Sequence, residues 1–257
     1  MLTSEELTLR LYSTVEIFIK NTDQVVIAFS GGVDSSILAK ICKDLGKQVY
    51  LVTIGFPNSH DLLFSKSISK LLGLSSTHIA SELVHDELNS SIRDVKSILT
   101  CNNLSHIENC IAFYQISKIV IINRLGNSFL TANGFDELFC GYDRYRSYYV
   151  KGTDFLLSYM EEKLVNEAHM MNEISKVIAE LNVKSIQPFL AESFIHFAKD
   201  IPIEYKIKGS DDMLRKHIIR EIALKIGVPQ EAAYHPKKAI QYGSNLHKFI
   251  LKNNFGP

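Results

Sequence analysis

Seven consecutive residues, Ser30-Gly31-Gly32-Val33-Asp34-Ser35-Ser36, carry the first chemical signal in this chain. Two glycines let a backbone turn sharply and approach an anion closely. The residues after them open a helix, whose first N–H groups have no intrahelical partner and favour negative charge. Ser30, Ser35 and Ser36 add hydroxyl donors. The string therefore reads as a phosphate cradle. Asp34 would repel a bare phosphate, so a bridging Mg²⁺ is expected with it. The loop is not a G-x-x-x-x-G-K-[ST] motif, because no lysine follows the glycines. Its phosphates must be neutralised by metal and by cations from elsewhere in the chain. The plainer alternative is a strand–turn–helix corner in which Asp34 and the serines only start a helix. The full string after a buried strand outweighs that alternative.

Two further groups could join this cradle. Asp136 and Glu137 follow the apolar run Phe129–Ala132. As acids they also suit a helix start, so their charge alone does not decide their role. Lys237 and Lys238 lie near the C-terminal end, where a basic pair is ordinarily a solvated one.

The elements that must position these groups follow from the apolar pattern. Val25–Phe29, Val49–Ile54 and Phe129–Ala132 are short apolar runs of the kind that form buried parallel strands, and Ser76–Ala80 reads as a further short strand. Between and around them, helical spacing covers Ser4–Lys20, Ile37–Leu45, Leu62–Leu72, Leu83–Leu99, Ile107–Arg124 and Asp136–Val150. Beyond Asp154 the pattern is helical, with no clear strand. This predicts an α/β fold: a parallel twisted sheet with helices on both faces, and a helical C-terminal part. The expected organisation is an N-terminal helix over 1–20, an α/β core over 21–150, and a helical region over 151–257 that completes the site. Ligands of such sheets bind beyond the carboxyl ends of the strands, where both loop motifs lie.

Composition narrows the function. The chain has 257 residues, with 28 basic and 28 acidic side chains. That neutral balance argues against a dedicated nucleic-acid binder. The N-terminal residues are acidic where a secretory signal would be basic, and Ile111–Ile122 is too short and polar for a membrane span. Four cysteines without a C-x-x-C pair read as free thiols of a cytoplasmic protein. His78, His85, His106, His196 and His217 lack metal-ligand spacing and read as surface or core residues. Tyr142, Tyr145, Tyr148 and Tyr149 read as packing residues.

Ser30–Ser36 also resembles the signature loop of the N-type ATP pyrophosphatases, the PP-loop superfamily. Its members attack the α-phosphorus of ATP with a carboxylate or carbonyl oxygen and release pyrophosphate. Thr131-Ala132-Asn133-Gly134-Phe135-Asp136-Glu137-Leu138-Phe139-Cys140-Gly141-Tyr142 resembles the S-G-E-G-S-D-E-L-F-G-G-Y segment of asparagine synthetases. The resemblance implies an adenine nucleotide alpha hydrolase-like fold, with ATP and Mg²⁺ as cofactors. It makes Asp34 and Asp136 metal ligands facing one another across a cleft. Ser30, Gly31, Gly32, Asp34, Ser35, Ser36 and Gly134 would bind the phosphates. Ile54–Asp61 resembles the family's stretch along the adenosine, so Ala28, Ile54, Thr131 and Ala132 would line the adenine pocket. Leu214-Arg215-Lys216 and Pro236–Gly243 resemble its late basic segment. One lysine there contacts the phosphates and the reacting centre; the alignment gives Lys238, with Lys237 one register away.

Two departures shape the expectation. Residue 2 is leucine where full asparagine synthetases carry the cysteine of a glutaminase domain. Ammonia would then come free or from a separate glutaminase subunit. Asn133 replaces the glutamate, or the tyrosine of β-lactam synthetase, assigned to the amine-handling step. An amide cannot act as a general base. The expected function is an ATP-dependent, amide-forming ligase of asparagine-synthetase type that adenylates aspartate or a similar carboxylate. Its partners would be small carboxylates and amines, with no membrane or nucleic acid, and a homo-oligomer is compatible. The alternatives are a tRNA-modifying PP-loop enzyme and a non-catalytic nucleotide-binding relative.

Overall fold

The computed structural model describes residues 4–99, 101–236, 238–253 and 255. Lys237 lies outside the described residues. Five parallel strands form one sheet in the order β3-β2-β1-β4-β5. They are β1 (Gln24–Ala28), β2 (Gln48–Gly55), β3 (His78–Glu82), β4 (Ser128–Leu130) and β5 (Lys184–Ile186). The central strand β1 buries Val25, Val26 and Ile27 in succession, as a strand covered on both faces must. Its register pairs Val25 with Val49 and Ile27 with both Leu51 and Leu130.

The chain moves outward from β1 to β2 and β3, then returns to the other side of β1 for β4 and β5. The direction of winding thus reverses between β1 and β4. A crevice opens there beyond the carboxyl ends, because the connecting helices leave on opposite faces.

Helices α1 (Ser4–Ile19), α2 (Val33–Asp44) and α3 (His60–Leu71) bear on one core, α4 (His85–Ile98) and α5 (Leu104–Ile122) on the other. Short helices α6 (Phe135–Leu138) and α7 (Tyr145–Tyr149) follow β4. The 27-residue helix α8 (Thr153–Ala179) joins the two cores. Its first half buries Leu156, Tyr159, Met160 and Leu164 in the first, its second half Met171, Ile174, Val177 and Ile178 in the second. Then come α9 (Glu192–Lys199), α10 (His217–Lys225), α11 (Gln230–Ala233), α12 (Ile240–Gly243) and α13 (Leu246–Lys252). Among the described residues no helix is long and apolar enough to cross a membrane.

Two elements depart from the sequence expectation. Strand β5 arises inside the stretch read as helical. Lys184-Ser185-Ile186 is only half-buried and lacks an apolar run, so it is defined by pairing with β4. The expected helix Asp136–Val150 is broken into α6 and α7. Cys140 adopts a left-handed φ of 58°, and Gly141 N–H turns back to the Asp136 carbonyl at 2.8 Å. That break frees the space beside Asp136 that another side chain enters.

Candidate active site

The loop after β1 is braced from within. Gly31 has φ 80°, and a Cβ there would lie 3.1 Å from the Phe64 ring and 3.2 Å from Ser65 Cα. Both conformation and space therefore require glycine. The Ser35 hydroxyl lies 3.3 Å from Ser30 N–H and from the Ser30 hydroxyl, closing the turn. Behind the loop, Thr53 donates to the Phe29 carbonyl at 2.5 Å, and His78 Nε2 lies 2.9 Å from the same hydroxyl. Thr53 has one proton and commits it to Phe29, so His78 donates through Nε2. Burial lowers the His78 pKa to about 4, with a further push from Lys66, which keeps the ring neutral.

Asp34 comes from the first turn of α2 and Asp136 from the first turn of α6. Between them stands Lys216, whose Nζ lies 2.6 Å from Asp34 Oδ2 and 2.6 Å from Asp136 Oδ1. The lysine side chain is 2% exposed, against 17% for Asp34 and 10% for Asp136. Its stem passes over Gly141: a Cβ there would lie 2.3 Å from Lys216 Cε and 1.9 Å from Asp136 Oδ1. The glycine of the second motif is thus required for space.

Lys216 is delivered by an unusual backbone. Arg215 and Lys216 are both left-handed, at φ 52° and 53°. Such residues persist where surrounding contacts over-determine them. Here the Asp212 carboxylate accepts from the N–H groups of Lys208, Leu214 and Arg215, and bonds His217 Nε2 at 2.7 Å. Burial raises the Asp212 pKa, but these donors prevail and leave it at about 2. Arg220, itself buried, donates to the carbonyls of Leu214, Arg215, Ala233 and His235. One guanidinium therefore anchors both the Lys216 turn and the segment leading to Lys238.

A cavity of about 660 Å³ opens beside this centre, in the crevice between β1 and β4. Ala28, Val52, Ile54, Thr131 and Ala132 form its sheet end, and Thr131 Oγ1 is buried there without a hydrogen-bond partner. Asp34, Asp136, Ser30, Ser35 and Lys238 line the side next to the loop after β1. Asn133, Glu167, Tyr142, Lys163 and Arg144 line the opposite side. Asn133 Nδ2 donates to Glu167 Oε1 at 2.5 Å. Glu167 sits at the middle of α8 and is 6% exposed.

The cavity therefore brings together Ala28, Ser30, Asp34, Ser35, Ile54, Thr131, Ala132, Asn133, Asp136 and Lys238 from the sequence expectation. Gly32 lines a smaller adjoining space with Ser30, Lys216, Arg220 and His235. Three expected residues face elsewhere. Ser36 is fully buried and donates to the Gly31 carbonyl at 3.2 Å, so its hydroxyl braces the loop. Gly31 turns toward Phe64. Gly134, at φ 109°, allows the Phe189 carbonyl to approach where a Cβ would lie 2.8 Å away.

Three contributors were missed in the sequence. Residue spacing alone gives Lys216 no role and points to no chemistry at Glu167 or Gly141. Tyr142 is more than packing: it lines the cavity and donates to Glu137 Oε1, and burial with nearby carboxylates raises its pKa. His106, read as surface or core, also lines the cavity.

The residues fit a divalent cation. Asp34 Oδ1 is buried without a hydrogen-bond partner, and the two carboxylates already converge on one positive charge. Oxygen donors of this kind suit Mg²⁺.

The chain matches the asparagine synthase family model over residues 6–183 and 157–253. It is 30% identical over 266 residues to a putative glutamine-hydrolysing asparagine synthetase of Methanocaldococcus jannaschii, covering 91% of this chain and 48% of that protein. It is 25% identical over 222 residues to a probable glutamine-hydrolysing asparagine synthetase of Acanthamoeba polyphaga mimivirus, covering 84% of this chain and 39% of that one. The chain thus spans less than half the length of either relative. An NMN synthetase from Francisella tularensis shares the fold, with a TM-score of 0.53 at 12% identity, covering 94% of this chain and 78% of that one. Because the family model runs through both loops and on into the segment bearing Lys216 and Lys238, this chain belongs to the asparagine synthase family.

Proposed function

We propose that the chain is an ATP-dependent carbon–nitrogen ligase. It activates a small carboxylate, aspartate or a near relative, as an acyl-adenylate, and joins the acyl group to ammonia. The observation that carries this reading is the convergence of Asp34 and Asp136 on one cation beside a loop built for phosphates.

Adenine fits the apolar sheet end of the cavity, with the Thr131 hydroxyl free to bond the nucleoside. The triphosphate then lies along the first turn of α2, whose N–H groups favour its charge. When bound between the two carboxylates, Mg²⁺ would neutralise the phosphates and favour departure of pyrophosphate. A substrate carboxylate oxygen bonds to the α-phosphorus as the bond to the bridging oxygen of pyrophosphate breaks. Lys238, exposed at the cavity's edge, supplies mobile positive charge to that transition state. Ammonia then attacks the acyl carbon and AMP leaves. Asn133 cannot accept the amine proton, but its partner Glu167 can. The segment beyond residue 150 thus contributes Glu167, Lys216 and Lys238 to a site begun by the first 150 residues.

Incubation with ATP, Mg²⁺, ammonium and single small carboxylates, followed by pyrophosphate assay, tests the reading. The expected result is pyrophosphate and AMP in equal amounts with at least one carboxylate. No pyrophosphate with any of them, in a protein that binds ATP, would overturn it.

A further inference from the structure

Lys216 is a costly arrangement for a mere structural ion pair. Its side chain is 2% exposed and its ammonium is equidistant from two carboxylates. Its stem demands a glycine at 141, and two successive left-handed residues aim it. Desolvated lysine tolerates such a position only while both charges around it persist.

The geometry points to Lys216 as a resident counter-ion of the metal site, holding the place of the divalent cation until metal and nucleotide arrive together. This rests on the reading of Asp34 and Asp136 as metal ligands. A metal entering that position would meet the ammonium at contact distance, so lysine and metal exclude one another. Without nucleotide the displaced ammonium gains little: in the adjoining small space it would meet the cations Arg220 and Lys238, and the further carboxylate there, Asp61, is already bonded to His60 at 3.0 Å. A polyphosphate lying over Ser30 and Gly32 reverses this, giving the ammonium new oxygens as the metal takes the carboxylates. Free metal therefore binds poorly and metal–nucleotide binds well. The ammonium also offsets one of the two carboxylate charges and closes the site to stray divalent ions between turnovers.

Manganese titration of the full chain, followed by the paramagnetic signal of free Mn²⁺, tests this. In nucleotide-free protein, Lys216→Met and Lys216→Gln should bind Mn²⁺ on the order of tenfold or more tightly than wild type, because a cation within hydrogen-bond reach of both ligands is gone. Adding Asp34→Asn to Lys216→Met should abolish the gained site. Wild type should gain a tight Mn²⁺ site with the non-cleavable α,β-methylene analogue of ATP. Equal Mn²⁺ affinity in nucleotide-free wild type and the lysine variants would overturn the counter-ion role and leave the metal reading standing. No Mn²⁺ site in any variant, with or without the analogue, would overturn both. Should the lysine variants not fold, wild type alone decides. Its Tm without nucleotide should not move with Mg²⁺, and a Mg²⁺-dependent rise would overturn the counter-ion role.

Discussion

Asn133 Nδ2 and Glu167 Oε1 meet at 2.5 Å across the cleft, one just beyond β4 and the other halfway along α8. The two are 34 residues apart in sequence. The amide that stands where the family carries an acid or a phenol is thus backed by a buried carboxylate. If the carboxylate takes the amine proton, its loss should spare the first half-reaction and stop the second. Glu167→Gln is expected to retain carboxylate-dependent ATP–pyrophosphate exchange while amide formation falls by roughly 10²–10⁴-fold, the range of general-base losses. Glu167→Asp should recover part of it. Equal loss of exchange and amide formation would make Glu167 a residue of the fold alone.

Gly141 makes a second, sharper prediction. Its φ is ordinary, so only space forbids a side chain there. Gly141→Ala should push Asp136 and the Lys216 stem apart. The expected cost is about 1–3 kcal/mol, as for overpacking elsewhere, read as a lower urea midpoint at unchanged slope. Pyrophosphate release should fall further than stability does, because the displaced groups are those of the site. A variant with wild-type turnover would remove Lys216 and Asp136 from the mechanism.

The parts legible in the sequence are those written in contiguous strings. The loop at Ser30–Ser36 and the acids at Asp136 and Glu137 each follow a buried strand, so residue order alone places them at the cleft. Within the loop, string reading overreaches. Adjacent helical residues point about 100° apart, which sends Ser35 toward the cavity and Ser36 into the core. Strand β5 was invisible because three half-buried residues at a sheet edge show no period. Glu167 lies on a helix with no motif around it. Lys216 meets Asp34 across 182 residues, and neither a left-handed turn nor the space above Gly141 has a sequence signature.

Acid should weaken the fold through the group behind the loop. His78 has a folded pKa of about 4 against an ordinary 6.5. Between those values the unfolded chain binds a proton that the folded chain refuses, so stability falls as pH drops from 6.5 toward 4. The contribution is at most about 3 kcal/mol. His78→Gln should be less sensitive to acid over that window, measured as urea stability at pH 7 and pH 4.5 (roughly the ends of the titration). Since other histidines titrate nearby, the difference between the two proteins is the quantity to read. An identical acid slope in both would show that His78 is protonated in the folded state.

Burial lowers the pKa of Lys206 as it does that of His78, but Lys206 stays charged at neutral pH. It is fully buried, donates to the Ala198 carbonyl at 2.7 Å, and lies 5.6 Å above the Phe139 ring. Burial, partly countered by Cys140 and Asp200, lowers its pKa from 10.5 to about 8. Below pH 8 the lysine is charged in both states, and folding carries the full desolvation penalty. From pH 8 to 10.5 the folded protein releases its proton first, so this penalty fades as pH rises. Lys206→Met keeps the volume and removes the charge. It should stabilise the protein at pH 7 by about 1–2 kcal/mol, the desolvation gain being offset in part by the lost hydrogen bond to the Ala198 carbonyl, which keeps the Ile201 N–H. The gain should shrink by about pH 9, roughly a tenfold drop in proton concentration beyond the folded pKa. A stability loss at pH 7 that stays constant with pH would mean that the hydrogen bond and the ring contact outweigh the burial of charge.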